Sequence, residues 1–476
     1  MSAEALFDQL DPILTRWTVG GQTGGLVPAA WEAALHASQG EERELQQLAL
    51  VAHFLDLCVR PTPATDVKAL SDLPPLALPL VPEAQRSLVR RCFRSLKEQE
   101  VRRHMVIMLA ARGYVVHPAD WMPSAQDDTI PDVYAPWRDW LHAQSIQGAK
   151  SKKAYDDLTA ENWDDWWPAA RLAALRTLRL RDPDQARALL EAKAAGESAD
   201  PRLRLIECLT IGLRQSDVPY LESLNGDRAP KIKALAASLL ARLGRQSERE
   251  EDNIELATYF KIETKGIFQK TRSVVAIPLK TPAQYASREA LFLRSDFDGF
   301  SKALELAPLE LVAMWPLGTN LEVDLSFAAL CERTGAEPCF DALYNRLANE
   351  ANLPLQVVFA LQNRLTKAQR QALATRILMI NDGSFRAAYQ ISGPNVDLVS
   401  FLHQARGQAL LKACISENDH SFDAHGLGLI ASQESARIAL DYITRFAGSE
   451  GNVTLTDPRF DLLRLNAALP ETGARP

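Results

Sequence analysis

Between Trp163 and Gly244 the same layout of helix start, apolar stripe and stop recurs about every 30 residues, which constrains the fold more than any other feature of the chain. Pro168 opens the segment ARLAALRTLRLRD, in which Leu172, Leu175 and Leu178, with Ala174, fall three or four apart and share one helical face. Asp182 is placed to cap a second helix, with Pro183 at the first helical position, where a missing N–H costs nothing. Ala186, Leu189, Leu190 and Ala194 line that helix, and Gly196 stops it. Asp200-Pro201 opens a third helix carrying Leu205, Leu209 and Leu213, and Ser216 to Leu224 makes a short fourth. Pro230 opens a fifth, whose Leu235, Leu239 and Leu243 repeat the third stripe at an offset of 30 before Gly244 closes it. Units beginning at Pro168, Pro201 and Pro230 predict a mostly α fold, an α-solenoid of the HEAT type. Such stacks present surface to partners more often than they perform chemistry.

Composition narrows the classes. With 476 residues, 47% hydrophobic and 24% charged, the chain has the makeup of a folded globular protein. A net charge of −7 repels a phosphate backbone, so nucleic acid is not the expected partner. Nowhere do 18 apolar residues run uninterrupted, and MSAEALFDQLDPIL lacks the basic, apolar, small-residue order of an export signal. A cytoplasmic chain without a membrane anchor is expected. The six cysteines are scattered without a CxxC pair, as reduced and mostly buried thiols would be.

Five regions follow. Residues 1–117 read as helices around a Pro-rich extended span from Pro61 to Pro82, with one helical stretch from Glu83 to Arg112. Residues 118–165 are loop-rich and hold Trp121, Trp137, Trp140 and Trp163, joined by Trp166 and Trp167 just beyond, a concentration that indicates packing. Residues 166–250 carry the repeats. In 251–283 the segments ATYFKIE and SVVAIPL are β-branched and aromatic around Lys265-Gly266, which predicts a small antiparallel β insertion. Helical patterns return through 284–476, with the last residues from Glu471 frayed.

Several elements, in order, resemble a bacterial family of uncharacterised proteins with HEAT-like helical repeats, known only as a domain of unknown function. They are Trp140-Leu141-His142-Ala143-Gln144, then ARLAALRTLRLRDPDQARALLEA, then LIECLTIGLRQSDVPYLESLNGDRAPKIKALAASLLARL, then LELVAMW. The specific positions are the Trp element, Arg181-Asp182-Pro183 and Asp217 to Tyr220; the chain departs at Ser145 and in a longer polar insertion from Ile146 to Asn162. Genes of that family often lie beside those for a MoxR-type AAA+ ATPase, a von Willebrand factor A-domain protein and a SWIM zinc-finger protein. The resemblance therefore implies a protein partner in such a system and carries over no catalytic residue.

Direct signals for chemistry are sparse. GxxxxGK[ST], HExxH and GxSxG are absent, and the glycine pairs at 20–21 and 24–25 lack the lysine of a phosphate loop. Asp419, His420, Asp423 and His425 form the best metal-like cluster, since imidazole and carboxylate suit zinc or iron; a metal-dependent hydrolase is the alternative they raise. Against it, Asp419 or Ser421 can equally cap a following helix. Residues 86–103 hold seven basic and two acidic side chains, with Arg86, Arg90, Arg94 and Lys97 along one helical face. That row reads as a solvated face paired with acids elsewhere, or else as a site for an acidic partner or nucleic acid. The reading adopted is a non-enzymatic scaffold or adaptor that needs no cofactor and binds protein partners, the AAA+ ATPase and A-domain protein among them.

Overall fold

The computed structural model describes residues 3–20, 26–35, 39–58, 72–124, 127, 129–145, 157–245, 250–265, 271–350, 354–416, 421–450 and 457–470. They fall in two compact units, Met1–Ser71 and Asp72–Pro476. In the smaller unit, helices Ala3–Thr18, Glu32–Leu35 and Gly40–Cys58 enclose Leu10, Ile13 and Val51, with Trp31 edge-on to Phe54 at 5.9 Å. Among the described residues no helix is long and apolar enough to cross a membrane.

In the larger unit helices begin at Pro168, Pro183 and Pro230 as the sequence predicts, whereas Pro201 lies in the first turn of a helix that begins at Ala199. Helix Pro168–Arg181 begins with its proline in the first turn, and helix Pro183–Lys193 is capped by Asp182, whose Oδ1 accepts from the Gln185 amide at 3.0 Å. Such a cap is worth about 1 kcal/mol. Leu175, Ala186, Leu190, Leu205, Ile206, Ile232 and Leu239 form a separate core for this region, and each leucine withdrawn from water contributes roughly 1.5–3 kcal/mol. The long helices stack in turn: Ala135–Ser145 on Pro168–Arg181, then Ala199–Glu207, then Pro230–Arg242, then Leu321–Thr334. Helix Ala135–Ser145 thus stands inside the stretch expected to be loop-rich, and its Trp137 and the Trp163 of the same stretch are both buried, in different cores.

The third predicted helix is shorter than its leucine spacing indicates. It spans Ala199–Glu207 and passes into a 3-10 turn, Cys208–Thr210; Gly212, at a φ of +60°, then turns the chain before Leu213. A long-range contact overrides the local periodicity there. Arg179, fully buried, donates from Nε to the Ile211 carbonyl at 2.8 Å and pairs with the equally buried Asp217, whose Oδ2 also accepts from the Arg214 amide at 3.0 Å.

The predicted strand pair is present as β1, Phe260–Lys265, and β2, Thr271–Ala276, antiparallel with Phe260 opposite Ala276 and Ile262 opposite Val274. Its inward residues belong to the core of the helices that follow. Phe260 meets Phe292, Phe300 and Trp315 at 5.9, 5.4 and 5.4 Å between ring centroids, and Trp315 stacks on Phe327 at 3.8 Å. The Trp315 indole N–H donates to Asp324 at 2.9 Å, so the buried ring leaves no polar atom stranded.

That core also takes in the helices near the start of the unit. Glu83–Ser95 packs on the last helix, Asp461–Ala468, with Arg91 on Asp461 at 2.6 Å, and His104 of Gln99–Ala111 lies edge-on to Tyr389 at 4.9 Å. The final helix, less distinct in the sequence than its neighbours, buries Leu462, Leu463, Leu465 and Asn466.

Arginines recur at the joints. Arg333 donates to the Phe292 and Ser295 carbonyls at the end of helix Pro282–Arg294, both at 2.8 Å. Arg364 does the same for Cys331 and Gly335 at the end of Leu321–Thr334, at 3.1 and 2.7 Å. Arg406 serves Ile380 and Asn381 after Lys367–Met379, at 2.7 and 2.8 Å. Each donates to carbonyls at a helix end, of which Cys331 and Ile380 also accept the amides of Gly335 and Gly383, and a cation there complements the helix dipole. Removing a guanidinium of this kind should be felt throughout its region. Arg179→Ala, which strands Asp217 in the core, is expected to cost about 3–5 kcal/mol, read as a lower urea midpoint; a midpoint within error of the parent would show that the pair is dispensable.

Candidate partner-binding groove

A cleft of about 510 Å³ opens between helices Ala135–Ser145, Pro168–Arg181 and Ala199–Glu207. Its floor is held by Asp139, buried among these helices, whose carboxylate accepts from the Ala169 and Ala170 amides at 3.2 and 2.8 Å. The aspartate of one helix therefore caps the next, which fixes the angle between them. Burial pushes the Asp139 carboxyl above its ordinary range, opposed by those two amides. Arg138 and His142, on either side of Trp140, line the cleft, so the Trp element singled out in the sequence contributes directly to it. Arg171 lines it too: its guanidinium lies 4.6 Å from the centre of the Trp163 ring and pairs with Glu197 at 2.7 Å.

At Arg176 and Glu207 the cleft shares its wall with a second, wider groove of about 730 Å³. The second groove runs past Ile211, Leu235 and Leu239 to Arg242, and on to Leu293, Glu332, Arg333 and Asn363 of the following helices. Its walls mix arginines and glutamates over an apolar floor. Arg176 is tied to Asp132 at 2.8 Å. Burial raises the Glu332 carboxyl, while Arg364 and a hydrogen bond from Asn363 oppose that rise.

The basic row is largely committed within the fold. Arg86 and Arg90 both donate to Asp120, each at 2.6 Å, and Arg86 reaches His117 Nδ1 at 3.1 Å. The Arg86 hydrogen bond, with Arg90 adding to it, holds the Asp120 carboxyl below its usual range. Arg94 donates to the Arg90 carbonyl at 3.4 Å. Lys97 is not on the same helix, contrary to the single helical face expected: the helix ends at Ser95, and Leu96, 2% exposed, is extended with ψ 109° before the next begins at Gln99. Burying the Leu96 side chain between the two helices requires that break, and Arg102 secures it through the Leu96 carbonyl at 2.6 Å.

The two describable members of the Asp/His cluster part company. Asp423 accepts from the Arg386 amide at 3.0 Å, in the first turn of helix Phe385–Ser392, and from Cys414 Sγ at 3.9 Å. His425 lines a cavity of about 20 Å³ together with His104 and Tyr389. Two positions apart on a helix, Asp423 and His425 face different neighbours; Asp419 and His420 lie outside the described residues. Among the described residues no group of three or more His, Cys, Asp or Glu could hold a metal ion.

Buried Arg171 and Arg179 escaped the sequence reading, although both stand four residues from Leu175 on the apolar stripe, and a charge on such a stripe marks a buried pair. The aspartate of Arg179 falls in Asp217 to Tyr220, one of the elements that carried the family resemblance.

This arrangement defines a mostly helical protein with a mixed-charge groove along its stacked helices. Residues 18–278 match the family of unknown function DUF5691, and the chain belongs to that family. The matched span contains the whole wall of the first cleft and ends two residues after β2, short of Leu293, Glu332, Arg333 and Asn363. No curated protein and no solved structure matches the chain.

His104 and His425 give the fold a defined response to acid. Burial lowers both pKa values from the ordinary 6.5; Glu100 opposes the shift at His104, Arg103 and Arg386 reinforce it, and at His425 Asp461 opposes it while Arg386 adds to it. The unfolded chain then binds protons that the folded chain refuses, so their contribution is complete above pH 6.5 and declines as the pH falls towards the folded values. Urea midpoints should drop between pH 7.5 and 5.5, with a shallower slope in His425→Gln; identical slopes would remove His425 from the account.

Proposed function

We propose that this protein is a non-enzymatic scaffold of the HEAT-like α-solenoid kind, whose groove binds a protein partner. The observation that carries the reading is the continuity of the two grooves through Arg176 and Glu207, which aligns one face of successive stacked helices into a single polar track. Clefts of this size, lined by arginines beside apolar side chains, suit side chains of a partner segment, and arginine is over-represented among residues that dominate interfaces. The family resemblance supplies the partner class: a MoxR-type AAA+ ATPase and the von Willebrand A-domain protein encoded beside it. The scaffold then works in the cytoplasm, alongside those proteins.

Affinity capture with the tagged full chain tests the reading. The ATPase or the A-domain protein should be retained, and the double substitution Arg138→Glu, Arg204→Glu in the first cleft should weaken retention about tenfold, which corresponds to about 1.4 kcal/mol. Arg94→Glu, away from the groove, should leave retention unchanged. Absence of retention together with a robust hydrolytic activity in a substrate screen would overturn the proposal.

A further inference from the structure

Arg242 differs from the arginines that occupy comparable places. It stands in the last turn of helix Pro230–Arg242, as Arg179 and Arg333 stand in the last turns of theirs. Those two guanidiniums are engaged, by carbonyls at Ile211 and Pro183 and by carbonyls at Phe292 and Ser295. Among the described residues no hydrogen bond or ion pair engages Arg242, its Nε is buried without a partner, and the side chain lines the wider groove. A guanidinium carries five donors, and partial withdrawal from water without acceptors is costly. The neighbourhood does not relieve it. Burial, with Arg364 adding to it, pulls the Arg242 pKa down to about 10, only partly offset by Glu337 and Glu332. Beside it the groove offers apolar contact: Leu235 from its own helix, and Leu293, 73% exposed, from across the groove.

We infer that the wider groove takes an acidic, leucine-containing segment of a protein partner, with one carboxylate seated on Arg242 and an apolar side chain against Leu293. The inference rests on the scaffold reading and specifies what its groove recognises. An arriving carboxylate supplies the two acceptors that match the guanidinium fork, and a charge-assisted pair in this partly dry setting is stronger than one on an open surface. With Arg176, Arg242 and Arg333 against Glu207 and Glu332, the lining is cationic on balance, and with its apolar contacts it favours acidic amphipathic segments over basic ones.

The test is a peptide array displaying ten-residue leucine-containing sequences in acidic, glutamine-substituted, phosphoserine and basic versions, probed with the full chain. Wild type should retain the acidic set at least tenfold better than the glutamine set. Arg242→Gln should abolish that preference, and Leu293→Asp, a change at an exposed position that the fold can absorb, should reduce retention of the acidic set. Arg242→Lys, which keeps the charge and loses the fork, should fall between. Equal retention of acidic and glutamine peptides, retention of none, retention confined to the phosphoserine set, or an unchanged preference in Arg242→Gln overturns the inference. Capture of the ATPase or A-domain protein by wild type distinguishes the two levels: its absence counts against the scaffold itself, whereas capture undiminished by Arg242→Gln counts only against this site.

Discussion

Buried helix ends are the constraint on which this structure depends. Many of its helices are short, several of six to eight residues, so an unusual share of the backbone sits within a turn of a terminus, where amides and carbonyls lack helical partners. Each such end inside a packed stack must find a partner or destabilise the stack. Side chains from neighbouring helices meet that need in two forms. Aspartates accept amides at helix starts, as Asp139 does for Ala169 and Ala170 and Asp423 for Arg386. Arginines donate to carbonyls at helix ends, as Arg333, Arg364 and Arg406 do. Both forms lock the angle and separation of adjacent helices, which hydrophobic contact alone, being non-directional, leaves loose.

The groove is a by-product of the same device. Where the long helices stack in sequence, their exposed faces line up, and the arginines that are not consumed at helix ends remain along the track. Arg171 and Arg176 are held by Glu197 and Asp132 in fixed positions, so the wall is pre-organised before any partner arrives. Asp423, which in the sequence stood beside two histidines as a metal-like group, is instead one of these helix-start acceptors.

What could be read in the sequence was whatever depends on near neighbours. The stripes at Leu175 and Leu178, the cap at Asp182, the helix starts at Pro168, Pro183 and Pro230 and the strand pair around Phe260 and Val274 are local patterns with local causes, and all are present. The misreadings have long-range causes. The helix expected to continue past Thr210 stops where Arg179 and Gly212 redirect it, and the helix expected through Lys97 breaks because Leu96 is wanted in the core between two helices. Arg242 was invisible for the same reason: its distinction is that distant residues leave it unpaired, which spacing does not encode.

Arg91 and Asp461, which join the first and last helices of the larger unit, stand 370 residues apart in the chain. During synthesis at roughly 5–20 residues per second, the part of Glu83–Ser95 that packs on the last helix therefore waits roughly 20–70 s before that cover exists. Over that interval the nascent chain carries a ready-made sticky surface, and the local, quickly folding stack from Pro168 to Arg242 is completed well before the two ends can meet. The order of synthesis thus leaves the core of the early helices incomplete until the last helix has been made, however stable the finished molecule is.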